Sequence, residues 1–182
     1  YMNWMAQTAD AGFSTLAQNV MRYSETNVYG SKTKETWTSR GWTTSTTQNA
    51  NPELYAGSYF TSNQNKTYYG LYQKGVTLSY NSNGGTVNKA NDFYIRYANA
   101  VDVASATRQE IAMPVPTWIE KNVTRYIFGA WTNTPKRVNE DFSSSLVSGV
   151  RNTGDGIFRY TPLVSGTVYA AWLNMSPVTS YE

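Results

Sequence analysis

The sequence predicts a mainly β chain of the α+β class, with one helix near its N-terminus. Three observations carry this. The 182 residues include 15 Tyr, 23 Thr and 17 Asn, and Tyr and Thr suit pleated, half-buried strands while Asn suits the turns between them. Short stretches of alternating polar and apolar residues recur along the chain between Gly-, Asn- and Pro-containing breaks. One early segment instead spaces its apolar residues by three and four, the period of a helix.

That segment is "DAGFSTLAQNVMRYSE", residues 10–25. Phe13, Leu16, Ala17, Val20 and Met21 would form one stripe, and Asp10 could act as N-cap. The strands expected after it are "TWTSRGW", "SYFT", "TYYGLYQ", "VTLSYNS", "TVNKANDFYIRY", "RYIFGAWT", "IFRYT" and "TVYAAWL". The segment 101–112 fits either period, and Pro114 and Pro116 break any regular element before "TWIEKNV". Within "LSYNSNGGTV", Asn83-Gly84-Gly85 has the chemistry of a tight β turn.

The two halves of the chain are similar. "YFTSNQNKTYYGLY" (59–72) lies over "RYTPLVSGTVYAAW" (159–172) at an offset of 100, and "RGWTTS" (40–45) lies over "GAWTNT" (129–134) at an offset of 89. The difference of 11 residues places one insertion in the polar, Ser- and Gly-rich stretch 135–156. Two domains are therefore expected, residues 1–74 and 75–182, with the boundary at Gly75. Trp42, Tyr72, Trp131 and Trp172 are the expected core anchors, since large aromatics on the inner face of a strand dominate core burial.

"VTLSYNSNGGTV", "YIFGAW" and "GTVYAAW", in that order between residues 76 and 172, resemble the Listeria-Bacteroides repeat, the internalin-type B repeat. The first half resembles the later portion of the same family through "RGWTTS" and "KTYYGLYQK" but lacks the Asn-Gly-Gly opening, and Tyr72 stands where Trp is usual. Ala130 replaces the Gly before Trp131. The resemblance implies two tandem small β-grasp-like modules, extracellular, secreted or attached to the wall of a Gram-positive bacterium. It implies a spacer, adhesion or protein-interaction role rather than catalysis, with a host or matrix protein as partner.

Composition narrows the chemistry. There is no His and no Cys, which removes imidazole and thiolate chemistry, disulfides and the commonest zinc ligands; no metal or cofactor is expected. The 15 Lys and Arg give a net charge of +3 but form no dense run, so nucleic acid is not expected as a partner. No stretch reaches the ~20 apolar residues that span a bilayer, so this segment is not expected to insert into a membrane. The chain begins at Tyr1, which reads as a mature protein or a fragment from which a leader or anchor could have been removed. A monomer is expected.

Ser31 and Lys34 in "SKTK" satisfy a Ser-x-x-Lys pattern too short to carry a nucleophile assignment. "RNTGDG" (151–156) lacks the carboxylates of a calcium cage and reads as a turn. Tyr68, Tyr69, Tyr94, Tyr97 and Trp118 are candidates for stacking on sugar rings, so a carbohydrate-binding module stands as the alternative function, with a glycan as partner.

Overall fold

The computed structural model describes the backbone of residues 6–9, 12–15, 20–55, 59–62 and 66–175, and the side chains of 20–55 and 66–175. In chain order the strands are β1 (Ala6–Ala9), β2 (Gly12–Thr15), β3 (Met21–Thr26), β4 (Lys32–Thr43), β5 (Tyr59–Ser62), β6 (Lys66–Asn81) and β7 (Asn91–Asn99). There follow β8 (Ile111–Ala112), β9 (Trp118–Glu120), β10 (Val123–Thr132), β11 (Arg151–Asn152), β12 (Phe158–Tyr160) and β13 (Gly166–Asn174). The only helical elements among the described residues are short 3-10 turns at Val103–Ser105 and Ser143–Ser145.

The expected helix over 10–25 is corrected. Gly12–Thr15 and Met21–Thr26 are strands, and the remaining residues of that span lie outside the described residues apart from Val20, which is exposed. In β3 the inward positions alternate, with Met21 and Glu25 buried and Tyr23 half-buried. Pairing with β4 and the burial of Glu25 beside two cations impose a period of two on residues whose apolar spacing alone suggested 3.6. The ambiguous span 101–112 resolves into a 3-10 turn and β8.

The chain divides into two compact units. Within the described residues, the first gathers Tyr1–Glu25, Thr33–Val76 and Tyr94–Arg108, and the second Thr26–Lys32, Thr77–Phe93 and Gln109–Glu182. In β6 every even position from Tyr68 to Tyr80 is buried, and Leu71 with them, so one continuous inward face fixes the register of the strand. Gly75 lies inside this strand on its exposed face.

In the first unit β3, β4 and β6 lie side by side, and β1 pairs with β6. Its core joins Met21, Trp37, Tyr72, Ala98, Val103 and Ala106, and a smaller cluster joins Trp42, Tyr68 and Leu54. An ionic group is buried with them. Arg96 Nη1 donates to both oxygens of Glu25 at 2.7 Å, and Lys74 Nζ lies 3.3 Å from the same carboxylate. The two cations stand 5.2 and 5.0 Å from the centre of the Trp37 ring.

Tyr72 is 1 % exposed and its hydroxyl has no hydrogen-bond partner among the described residues. Burial pushes this phenol up to about 12, so the folded state holds a proton that the unfolded chain releases above about pH 10. The stability this contributes is complete below pH 10 and is lost as the pH climbs toward 12. Tyr72→Phe is therefore expected to raise stability by about 1 kcal/mol, because it removes an unpaired buried hydroxyl, and to flatten the alkaline loss. Denaturant melts of both proteins at neutral pH and at about pH 11 check this.

In the second unit the final residues of β6 pair in parallel with β13, Leu78 opposite Gly166 and Asn81 opposite Tyr169. β13 runs antiparallel to β10, and β10 forms a hairpin with β9. The hairpin turn, Lys121-Asn122, has positive φ at both residues, the left-handed pair that suits the twist of a two-residue loop. β8, β12 and β11 make a small separate sheet.

The ladders of the two units coincide position by position. Trp42 opposes Gly70 and Thr43 opposes Tyr69, with an irregularity between Ser39 and Gly41. Trp131 opposes Ala170 and Thr132 opposes Tyr169, with an irregularity between Phe128 and Ala130. These are the pairs that the two sequence offsets bring together, and the residues at the bulges, Arg40 and Gly129, are themselves aligned.

Candidate functional site

The second unit is organised around the Asn83-Gly84-Gly85 turn. Asn83 and Gly84 have φ of 51° and 108°, and the Asn83 side-chain amide donates to the carbonyls of Lys136 (2.7 Å) and Ala170 (3.0 Å). A Cβ at Gly84 would strike the Trp118 ring, and one at Gly85 would strike Trp172 and the Thr117 carbonyl. Trp172 Nε1 donates to the Ser82 carbonyl at 2.8 Å. The two glycines thus leave room for two indoles that meet edge to face, 5.5 Å apart. Gly85→Ala is expected to destabilise the second unit by about 1–3 kcal/mol, the usual cost of overpacking a close contact, read as a lowered denaturation midpoint with far-UV circular dichroism retained.

Beside this core a cleft of about 370 Å³ opens along β10. Trp118, Tyr126, Phe128 and Phe158 supply its aromatic walls, and Val115 and Ile127 its aliphatic ones. Trp118 meets Tyr126 edge-on at 4.7 Å and 81°, and Phe128 meets Phe158 at 5.9 Å and 69°. The walls include the stretch of β10 between its two bulges, at Arg125 and Gly129. A bulge bends the strand and re-aims its side chains, and here the bulges bracket Tyr126 and Phe128. Phe158 also lines a smaller cavity of about 170 Å³ with Ala130, Trp131, Leu146 and Val150.

The rim is polar. Trp118 Nε1 donates to Glu120 Oε2 at 2.9 Å, the Arg125 guanidinium lies 4.3 Å from the Tyr126 ring centre, and Arg125 Nε is 3.8 Å from Glu120 Oε1. Thr117 and Thr124 contribute hydroxyl-bearing side chains to the lining. The adjoining loop, which carries the lining residue Gly156, is shaped by Asp155. The carboxylate of Asp155 accepts from Arg159, from Thr153 and from the Ile157 backbone, and these bonds hold it far below the usual carboxylate range. "RNTGDG" is accordingly a turn whose carboxylate is already engaged.

Of the five residues singled out for ligand stacking, Trp118 lines the cleft. Tyr68 is buried with Trp42, Tyr94 is buried, Tyr69 is half-buried, and half-buried Tyr97 lies under the Arg40 guanidinium at 4.7 Å. The four anchors Trp42, Tyr72, Trp131 and Trp172 are each at most 2 % exposed. Sequence reasoning did not single out Tyr126, Phe128, Phe158, Glu120 or Arg125. The "YIF" of β10 carried the available signal, two aromatics at alternate positions.

No group of three or more His, Cys, Asp or Glu that could hold a metal is gathered among the described residues. No helix among them is long and apolar enough to cross a membrane. Comparison with known protein families, with curated proteins and with solved structures finds no match for this chain.

Proposed function

We propose that this chain is a non-catalytic module of a secreted or cell-surface bacterial protein, a spacer that also binds a partner through the aromatic cleft of its second unit. The observation that carries the reading is the cleft itself: open aromatic walls on a sheet, with one carboxylate bonded to the Trp118 indole and one guanidinium over the Tyr126 ring. Aromatic anchors set in a mostly apolar concavity are the usual make-up of binding sites. The non-catalytic part is supported by several of the other acidic groups described, which are spent on structure. Glu53 is bonded to Thr43 and Thr44, Glu110 to Arg151, Glu140 to Arg137 and Asp92 to Tyr80. Descent of both units from one duplicated β-grasp-like module of the internalin-type B repeat class is part of the proposal, supported by the shared register and the shared bulge position.

Ile127 lines the cleft and is 44 % exposed, so Ile127→Glu puts a charge into it with little cost to the fold. The wild-type chain is expected to attach to at least one of a panel of purified extracellular-matrix proteins, and Ile127→Glu to lose that attachment. Equal attachment of both proteins would refute the cleft as the contact surface. Because Trp118 lines the cleft beside Thr117 and Thr124, a glycan is the second reading: a pyranose face stacked on a ring with its hydroxyls at the open rim. Retention on a glycan array, lost in Ile127→Glu, would favour it.

A further inference from the structure

We propose that the aromatic cleft of the second unit takes a quaternary ammonium group, such as the trimethylammonium end of choline, with Glu120 as its counter-charge. This rests on the reading of the cleft as a binding site and names the chemistry it would recognise. The walls are rings set nearly at right angles, Trp118 to Tyr126 and Phe128 to Phe158, so they offer π faces in several directions. The face of an aromatic ring is the negative part of its quadrupole and attracts a cation without needing a hydrogen-bond donor.

The polarity of the lining selects among ligands. Among the lining side chains, hydroxyls come from Thr117, Thr124 and the phenol of Tyr126, and none of the lining side chains is charged. A primary ammonium or a guanidinium would bring three or five N–H groups into a site with too few acceptors. A hexose buried there would leave most of its hydroxyls unpaired. A quaternary ammonium has no N–H to satisfy and spreads its charge over methyl groups that pack on rings. A cleft of about 370 Å³ is ample for it.

The chain already uses this chemistry, with Arg40 over Tyr97 and at two further rings. Tyr126 carries the Arg125 guanidinium at 4.3 Å. In the first unit the residue aligned with Tyr126 is Trp37, where Lys74 and Arg96 stand over the indole and Glu25, on the outer strand β3, balances them. In the second unit the outer strand β9 likewise supplies a carboxylate, Glu120, whose Oε2 fixes the Trp118 indole. Glu120 and Arg125 are both more than half exposed and only loosely paired at 3.8 Å, so an incoming cation can displace Arg125 from the Tyr126 face at little cost.

The test titrates the full chain with choline and with its uncharged tert-butyl isostere, following tryptophan fluorescence and the indole N–H resonances. Choline is expected to bind roughly tenfold or more tightly than the isostere, the scale of a desolvated cation–π contact. Arg125→Ala is expected to strengthen choline binding and Glu120→Gln to weaken it, each severalfold, and both are surface changes that leave the core intact. Equal affinity for choline and the isostere, or choline binding indifferent to both substitutions, would overturn the proposal. Sedimentation with phosphatidylcholine vesicles separates the sources: co-sedimentation identifies a lipid headgroup, and choline binding without it a soluble ligand. If choline leaves the chain unaffected while Ile127→Glu still abolishes attachment to a matrix protein, the ligand assignment falls and the binding site stands. If neither is seen, both fall.

Discussion

Trp172→Ala is expected to unfold the second unit. The indole is 1 % exposed, meets Trp118 and Phe128 edge-on, and ties the start of the Asn-Gly-Gly turn to β13 through its bond to Ser82. Truncating a buried Trp costs about 3–5 kcal/mol, and the lost indole hydrogen bond to Ser82 adds to that loss. Against a typical total of about 5–15 kcal/mol for a whole domain, this removes much of the unit's stability. Trp172→Phe keeps most of the packing and loses the hydrogen bond, so an intermediate midpoint is expected. Chemical denaturation followed by the indole N–H resonances separates the units, since Trp37 and Trp42 report on the first and Trp118 and Trp131 on the second. A native-like midpoint for Trp172→Ala would show that the turn is held by something else.

Glu25→Ala is expected to have the corresponding effect on the first unit. It would leave Lys74 and Arg96, 7 % and 0 % exposed at their side chains, as two like charges facing Trp37 without the Glu25 carboxylate that bridges them. Removing one partner of a buried ionic group costs about 3–5 kcal/mol. Burial already holds the Lys74 ammonium below its ordinary value, and Glu25 is the main influence in the other direction. Without Glu25 the lysine is driven further down. The unfolded chain then binds a proton that the folded one lacks, and stability rises with pH up to the ordinary lysine range near 10.5. The double variant Glu25→Ala, Lys74→Met removes one of the stranded charges and should recover part of the loss and that pH dependence together. A Glu25→Ala variant as stable as wild type would refute the account.

What was legible in the sequence follows from which signals are local. β6, β10 and β13 were readable because they are rich in Thr, Tyr and other strand-forming residues and large aromatics stand at inward positions: Tyr72, Trp131, Trp172. The turn at Asn83-Gly84-Gly85 was readable because two successive residues there have positive φ, a requirement that shows directly as Asn-Gly. β3 was not, because its period is imposed by partners far along the chain: Glu25 turns inward to meet Arg96, 71 residues later. The cleft was half legible for the same reason. Trp118 could be named from its type, but its companions come together only when the bulges of β10 tilt Tyr126 and Phe128 and when β12 delivers Phe158 beside them. A bulge leaves no mark on an alternating pattern until its ladder partners are known.

The parallel pairing of β6 with β13 bears on how the second unit would carry tension. The strand from Thr77 and the strand ending at Asn174 lie side by side and point the same way. A pull applied at those two residues therefore slides one strand along the other and strains all of their rungs at once. Pulling instead at Trp118 and Tyr126, opposed across the β9–β10 hairpin, would peel rungs singly from one end. Force spectroscopy with attachment at each pair in turn should give an abrupt, high-force rupture in the first case and a gradual, low-force extension in the second.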